Sequence, residues 1–138
     1  MQSILVKDYM DHNHRAVKMD TNIRDLVGIL LKAGVTGMPV VDHDNQLVGF
    51  VSEQDCIKEL LNDAFFCGTP PDVAEVMSRN LATVTPDTSI VEVAQLLLTN
   101  KPKIYPVVDD GKLVGVINRN RVLRALVDNN TSCNTHHG

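Results

Sequence analysis

Ser52 and Asp55 stand three positions apart, where the apolar run Gly49-Phe50-Val51 gives way to the polar stretch Glu53-Gln54-Asp55. A hydroxyl followed three residues later by a carboxylate is the pattern of a capping box, here with Asp in place of Glu, and that role accounts for the pair in full. The same junction is also where a helix offers unpaired backbone N–H groups and the positive end of its dipole, which suit an anion. Further along, Gly115-Val116-Ile117-Asn118-Arg119-Asn120-Arg121 repeats the junction with altered chemistry. Asn118 can still cap, but Arg119, Arg121 and Arg124 put cations in the first turns, where the dipole disfavours each by roughly 0.3–1 kcal/mol. That sign is wrong for helix stability and right for a phosphate group.

The two junctions correspond because the whole chain is a repeat. Val6 to Ile57 and Val73 to Leu123 overlie one another at a nearly constant shift, pairing Met10 with Met77, Asp20-Thr21 with Asp87-Thr88, and Ile23 with Ile90. The match continues through Pro39-Val40-Val41-Asp42 with Pro106-Val107-Val108-Asp109, and Leu47-Val48-Gly49 with Leu113-Val114-Gly115. A duplicated unit of roughly 55 residues has too little core to be comfortable alone and normally buries apolar surface against its copy.

The elements that must position these residues follow from periodicity. In the first repeat, after a short amphipathic opening over 3–10, the pattern predicts an edge strand at Arg15 to Val17. A helix is expected from Ile23 to Ala33, started by Asp20 or Thr21 and closed by Gly34, with Ile23, Leu26, Val27, Leu30 and Leu31 on one face. A hairpin of Met38 to Val41 and Leu47 to Ser52 turns through Asp42 to Gln46, and a helix runs from Glu53 to about Phe65. The second repeat predicts a short helix at Val73 to Met77, a strand at Ala82 to Val84 and a helix from Ser89 to Asn100. A hairpin of Ile104 to Val108 and Lys112 to Asn118 follows, with a last helix from Arg119 to about Val127. The divisions are therefore repeat one over 1–65, a linker over 66–72 holding Gly68, Pro70 and Pro71, repeat two over 73–128, and a polar tail over 129–138 expected to be flexible. The fold class is α+β, β-α-β-β-α twice over, with pseudo-twofold symmetry and the two repeats packed into one module.

Composition narrows the function. Thirteen Lys and Arg against seventeen Asp and Glu give a net charge of −4, so the overall field opposes nucleic acid and anionic lipid, and any anion site must be local. Three cysteines without ligand spacing point to a reducing compartment, and the apolar runs fall far short of the roughly 20 residues that span a bilayer. A cytoplasmic protein that does not contact membrane is expected. Asp11, His12 and His14 lack a third nearby ligand type at fixed spacing and read as a solvated loop, so no metal site is assigned. No Gly-rich phosphate loop, nucleophile elbow or supported acid and base pair is present, and no enzymatic activity is expected.

The double β-α-β-β-α unit, the Pro-Val-Val-Asp of each hairpin, the Gly-Phe-Val-Ser-Glu-Gln-Asp junction and the Met-to-Thr-x-Pro-Asp opening resemble a pair of CBS domains, named for cystathionine β-synthase. The resemblance covers about Val6 to Val127. It implies a tandem pair, usually a homodimer, that binds AMP, ADP, ATP or S-adenosylmethionine between the repeats as a regulatory ligand, with no required cofactor. By the family's motif Asp55 would accept from the ribose hydroxyls and Ser52 would reach the ribose or phosphate; a carboxylate suits a vicinal diol because both its oxygens accept. The resemblance further implies a base held by Ala82, Lys103, Ile104 and Tyr105, and phosphates met by Thr36, Lys103, Arg119 and Arg121.

The second motif departs from the pattern, with Asn118 for Ser or Thr and Arg121 for the ribose Asp. Its site would use Arg15, Ala16, Val35, Thr36, Gly37 and Met38 for the base, but arginine cannot accept from a diol. One nucleotide per chain is expected, with the second position empty or holding a simple anion. Two functions follow: a stand-alone sensor that passes ligand binding to an unidentified effector protein, or a ligand-free interaction and dimerisation module on the same fold.

Overall fold

The structure is a computed structural model, and it describes residues 4–62, 68–99 and 102–134, the last five of these in backbone only. The described elements in chain order are a single 3-10 turn (Val6–Asp8), β1 (Val17–Lys18), α1 (Ile23–Ala33), β2 (Gly37–Val41), β3 (Leu47–Ser52) and α2 (Glu53–Leu61). They continue with α3 (Val73–Val76), α4 (Ile90–Thr99), β4 (Ile104–Asp109), β5 (Lys112–Asn118) and α5 (Arg119–Asn134).

The chain forms two compact units, and neither is a sequence repeat. One consists of Arg15–Leu81; the other joins Met1–His14 to Ala82–Gly138. Each unit holds the body of one repeat and the leading segment of the other. In the unit Arg15–Leu81, β1 runs parallel to β2 and β2 antiparallel to β3. The segment after the linker joins this unit: Ser78 exchanges both backbone hydrogen bonds with Phe50, at 2.8 and 3.0 Å, and Val73 N–H donates to Thr21 O at 2.8 Å. In the other unit β4 pairs antiparallel with β5, and Asp11 exchanges backbone bonds with Val116 at 2.7 and 3.2 Å.

Both leading segments carry core residues with them. Val73 and Met77 are buried with Val17, Ile23, Leu26, Leu30 and Val51. Val6 and Met10 are buried with Ile90, Val93, Tyr105, Ile117 and Val122. Burying a side chain of this size contributes about 1.5–3 kcal/mol, so each unit draws a substantial part of its cohesion from the borrowed segment. Each borrowed methionine lies over the glycine of the strand it faces. A β-carbon on Gly49 would run into the sulfur and Cγ of Met77, and one on Gly115 would stand 2.9 Å from Asp11 O and 3.2 Å from the Met10 sulfur. These glycines let a backbone and a methionine meet at van der Waals contact.

Local chemistry sets most element ends. Gly34, at φ 66°, closes α1 with its N–H on Leu30 O at 2.9 Å. Asp110 and Gly111, at φ 53° and 80°, form the two-residue turn of the second hairpin. Asp42 Oδ1 accepts from Asp44 N–H and Gln46 N–H at 2.9 Å each, which fixes the first hairpin turn.

Four expectations change. The N-cap of α1 is Asn22, whose side chain accepts from Arg24 N–H at 2.9 Å, and not Asp20 or Thr21. The strand expected at Arg15 to Val17 falls on Val17–Lys18. The strand expected at Ala82 to Val84 reduces to one parallel bridge, Val84 with Val107, because Pro86 offers no further N–H to the ladder. The last helix continues past Val127 to Asn134. The expected end of α2 at Phe65 lies outside the described residues, as do residues 135–138 of the tail. Among the described residues no helix is long and apolar enough to cross a membrane.

Candidate functional site

In the unit Arg15–Leu81 the junction of β3 and α2 forms the capping box that the spacing predicts. Ser52 takes an extended conformation, φ −120° and ψ 168°, because its backbone still belongs to the strand. Its Oγ accepts from Asp55 N–H at 3.3 Å, while its N–H and hydroxyl both donate to Asp55 Oδ2, at 2.9 and 3.0 Å. Both bonds to the carboxylate fall on the same oxygen. Oδ1 of Asp55 is left without a hydrogen bond among the described residues. Asp55 is half-buried, and no charged side chain among the described residues is fully buried. The free oxygen is therefore accessible and already oriented by the bonds that its neighbour makes.

The register of β2 on β3 pairs Gly37 with Ser52 and Met38 with Val51, so the loop before β2 runs beside the capping box. Thr36 is exposed there and its carbonyl accepts from Glu53 N–H at 2.9 Å. Arg15, Ala16 and Val35 are exposed in the same unit, whereas Met38 is buried in its core. Beneath the junction, burial pushes the Cys56 thiol up from its ordinary range, and the negative charges of Asp55 and Glu53 push it the same way.

The other unit holds the counterpart junction. Lys103 O accepts from Arg119 N–H at 3.3 Å and Ile104 pairs with Asn118, which brings Lys103, Ile104, Asn118 and Arg119 together. Ala82, Lys103 and Arg119 are exposed and Ile104 is half-buried. Tyr105 is 1% exposed, its ring lies among the core residues of β4, β5, α4 and α5, and its hydroxyl has no hydrogen-bond partner. Asn118 Oδ1 caps α5 by accepting from Arg121 N–H at 2.9 Å. Arg121 turns its side chain to the leading segment: Nη1 donates to Tyr9 O at 3.1 Å and Nη2 lies 3.7 Å from Asp11 Oδ1. Where Asp55 closes a box on its own helix, Arg121 fastens a different part of the chain.

The sequence reading did not single out the surroundings of that arginine as a pocket. A cavity of about 440 Å³ opens between the leading segment, at Tyr9 and His12, and the start of α5, at Asn118, Asn120, Arg121 and Arg124. The signal available in the sequence was the run of cations after Asn118; that His12 faces them depends on the pairing of Asp11 with Val116. Tyr9 O–H donates to Asp128 Oδ2 at 3.1 Å, and the phenol is held above its usual range by desolvation first and by Asp128 second. Among the described residues no three His, Cys, Asp or Glu side chains converge as metal ligands.

The model of the CBS domain matches this chain twice, over residues 6–62 and 73–128. The chain belongs to the CBS domain family. Its structure superposes on that of CBSX2, a CBS pair protein of Arabidopsis thaliana crystallised in complex with AMP, with a TM-score of 0.78 at 34% identity over 90% of this chain and 96% of that one. It also matches the CBS domain pair of protein MJ0100, crystallised with 5′-methylthioadenosine and S-adenosyl-L-methionine, with a TM-score of 0.77 at 26% identity over 92% and 98%. Among curated relatives, protein MJ1426 of Methanocaldococcus jannaschii is 28% identical over 90% of this chain and 92% of its own length. Two further curated relatives are longer, and the chain spans 42% and 14% of them. Both strand-to-helix junctions described above fall within the two CBS matches.

Proposed function

We propose that this CBS pair is a cytoplasmic regulatory module that binds an adenosine-containing ligand, AMP, ADP, ATP or S-adenosylmethionine, and passes the binding event to an effector protein. The observation that carries the reading is the Asp55 carboxylate, with one oxygen fixed by Ser52 and the other unused. A ribose diol needs such an acceptor. The AMP complex of CBSX2, a relative 34% identical, supports the adenosine class. Ser52 and Asp55 hold the ribose in this reading, and Thr36, exposed beside them in the same unit, meets a phosphate. Arg121, bound to Tyr9 O, leaves the second motif without a ribose acceptor, so one nucleotide binds per chain. Exposed Leu31, Ile57 and Leu61 on one unit, and Leu98 and Leu123 on the other, are the surfaces through which a homodimer would form.

A second reading, the ligand-free interaction module, is favoured by the completeness of the capping box, which needs no ligand to explain it. Thermal unfolding with each of the four ligands separates the two. A ligand at a hundredfold its Kd stabilises the native state by about 2.7 kcal/mol, a shift of several degrees for a chain of this size. The shift is expected with one ligand class and is expected to disappear in Asp55→Asn, which keeps a capping acceptor but loses the charge that the diol needs. No shift at millimolar concentration of any ligand would leave the interaction module as the function.

A further inference from the structure

Residues 4–14 complete a body to which they are not joined directly in sequence. The chain leaves them at His14, runs through the whole of the unit Arg15–Leu81, and returns to that body only at Ala82. The bonds that dock them there are noncovalent. Val6 N–H donates to Thr88 O at 2.8 Å, Lys7 N–H to Pro86 O at 2.9 Å, and Ile90 N–H to Ile4 O at 2.8 Å. Lys7 Nζ lies 3.4 Å from Asp87 Oδ1, Tyr9 O–H donates to Asp128 Oδ2, and Val6 and Met10 fill the core. Residues 4–14 of a second copy carry the same groups and can make each of these contacts, as in any exchange of an identical element between chains.

What differs between the two arrangements is the hinge, where residues 12–16 pass from one unit to the next. These residues lie outside any helix or strand, and His12, Asn13, Arg15 and Ala16 are exposed. His14 is the exception. Its Nδ1 is buried and has no hydrogen-bond partner among the described residues. A buried polar atom left unpaired costs its full desolvation, and a hinge that straightens returns the nitrogen to water.

We propose that residues 4–14 are an exchangeable arm, and that two copies of this chain associate by each docking its arm on the other's body that begins at Ala82. The docked contacts are the same in both forms, so they cancel. Relief of the His14 nitrogen is then the term that offsets part of the freedom lost when two chains join. The core around Ile90, Ile117 and Val122 is in this form built from two chains, which sets the association apart from one through exposed helix faces. It requires no ligand and stands or falls separately from the adenosine reading.

The test uses the ion pair already present. Isotope-labelled and unlabelled intact chains are mixed, unfolded and refolded together at high protein concentration, and Lys7 is then coupled to Asp87 with a carbodiimide, which joins an amine to a carboxylate only at contact. Mass spectrometry of the linked peptides reads the chain from which each came. Mixed-label Lys7–Asp87 pairs are expected, approaching the abundance of same-label pairs and falling on dilution. Lys18, whose ammonium donates to Asp42 O at 3.3 Å within the unit Arg15–Leu81, is the control, and its link to Asp42 is expected to stay within one label. His14→Leu, which removes the ring nitrogens, is expected to lower the mixed-label fraction several-fold. Absence of mixed-label Lys7–Asp87 pairs, mixed-label pairs equally abundant at Lys18–Asp42, or an undiminished fraction in His14→Leu would overturn the proposal.

Discussion

At the scale of single residues, the two units solve the same local problem with opposite charges. Ser52 and Asp55 satisfy each other within one helix turn, while Asn118 caps alone and releases Arg121 to hold Tyr9 O. A second residue sets a different balance. Tyr105 fills its core position with an aromatic ring, but its hydroxyl finds no partner, and an unsatisfied buried polar group costs about 1–3 kcal/mol. Tyr105→Phe keeps the ring and removes the group that must be desolvated. Urea unfolding of this variant is expected to give stability equal to or about 1 kcal/mol above that of the parent; a loss of more than about 1 kcal/mol would mean that the hydroxyl is bonded in solution. Asp55 was legible as a cap and a candidate acceptor from three-residue spacing alone. The state of Tyr105 was not, because whether a phenol finds a partner depends on α4 and α5 packing above it.

At the scale of elements, the contacts that organise each unit are those between a leading segment and a strand of the other repeat. Gly49 and Gly115 admit Met77 and Met10, and the backbone pairs of Ser78 with Phe50 and Asp11 with Val116 lie beside them. Gly49→Ala places a methyl group against Met77 and is expected to destabilise by about 1–3 kcal/mol, the usual range for overpacking. Met77→Ala alone leaves a cavity, yet in the Gly49→Ala background it removes the clash. The double variant should therefore be more stable than the sum of the single losses, and strict additivity in chemical denaturation would show that the two side chains do not meet. Element by element, α1 and both hairpins were legible because period, cap and turn residues agree at Gly34, Asp42 and Asp110-Gly111. The end of α5 was not: apolar periodicity stops near Val127, and the helix continues to Asn134 through residues without it. The Ala82 to Val84 strand read as more than it is, since β propensity carries no information about which N–H groups a neighbouring proline withdraws.

At the scale of the molecule, the repeat seen in the sequence and the unit seen in the structure are different divisions of one chain. Self-similarity locates the duplicated motif, but it cannot report that residues 4–14 join the body that begins at Ala82, because that depends on pairing across more than seventy residues. The difference has a consequence for how the chain can be cut. A fragment over 1–65 keeps a segment whose strand partner it has lost, and it lacks Val73, Met77 and the Ser78 bridge that close the core around Ile23, Leu26 and Val51. A fragment over 15–81 keeps every one of these and is contiguous in sequence. Small domains of this length are marginal, so the comparison belongs in a stabilising co-solvent such as sucrose, where burial is strengthened equally for both. Under those conditions the 15–81 fragment should unfold cooperatively by far-UV circular dichroism and protect its β2 and β3 amides from exchange. The 1–65 fragment should show neither, and a cooperative transition there would place the stabilising contacts within the sequence repeat after all.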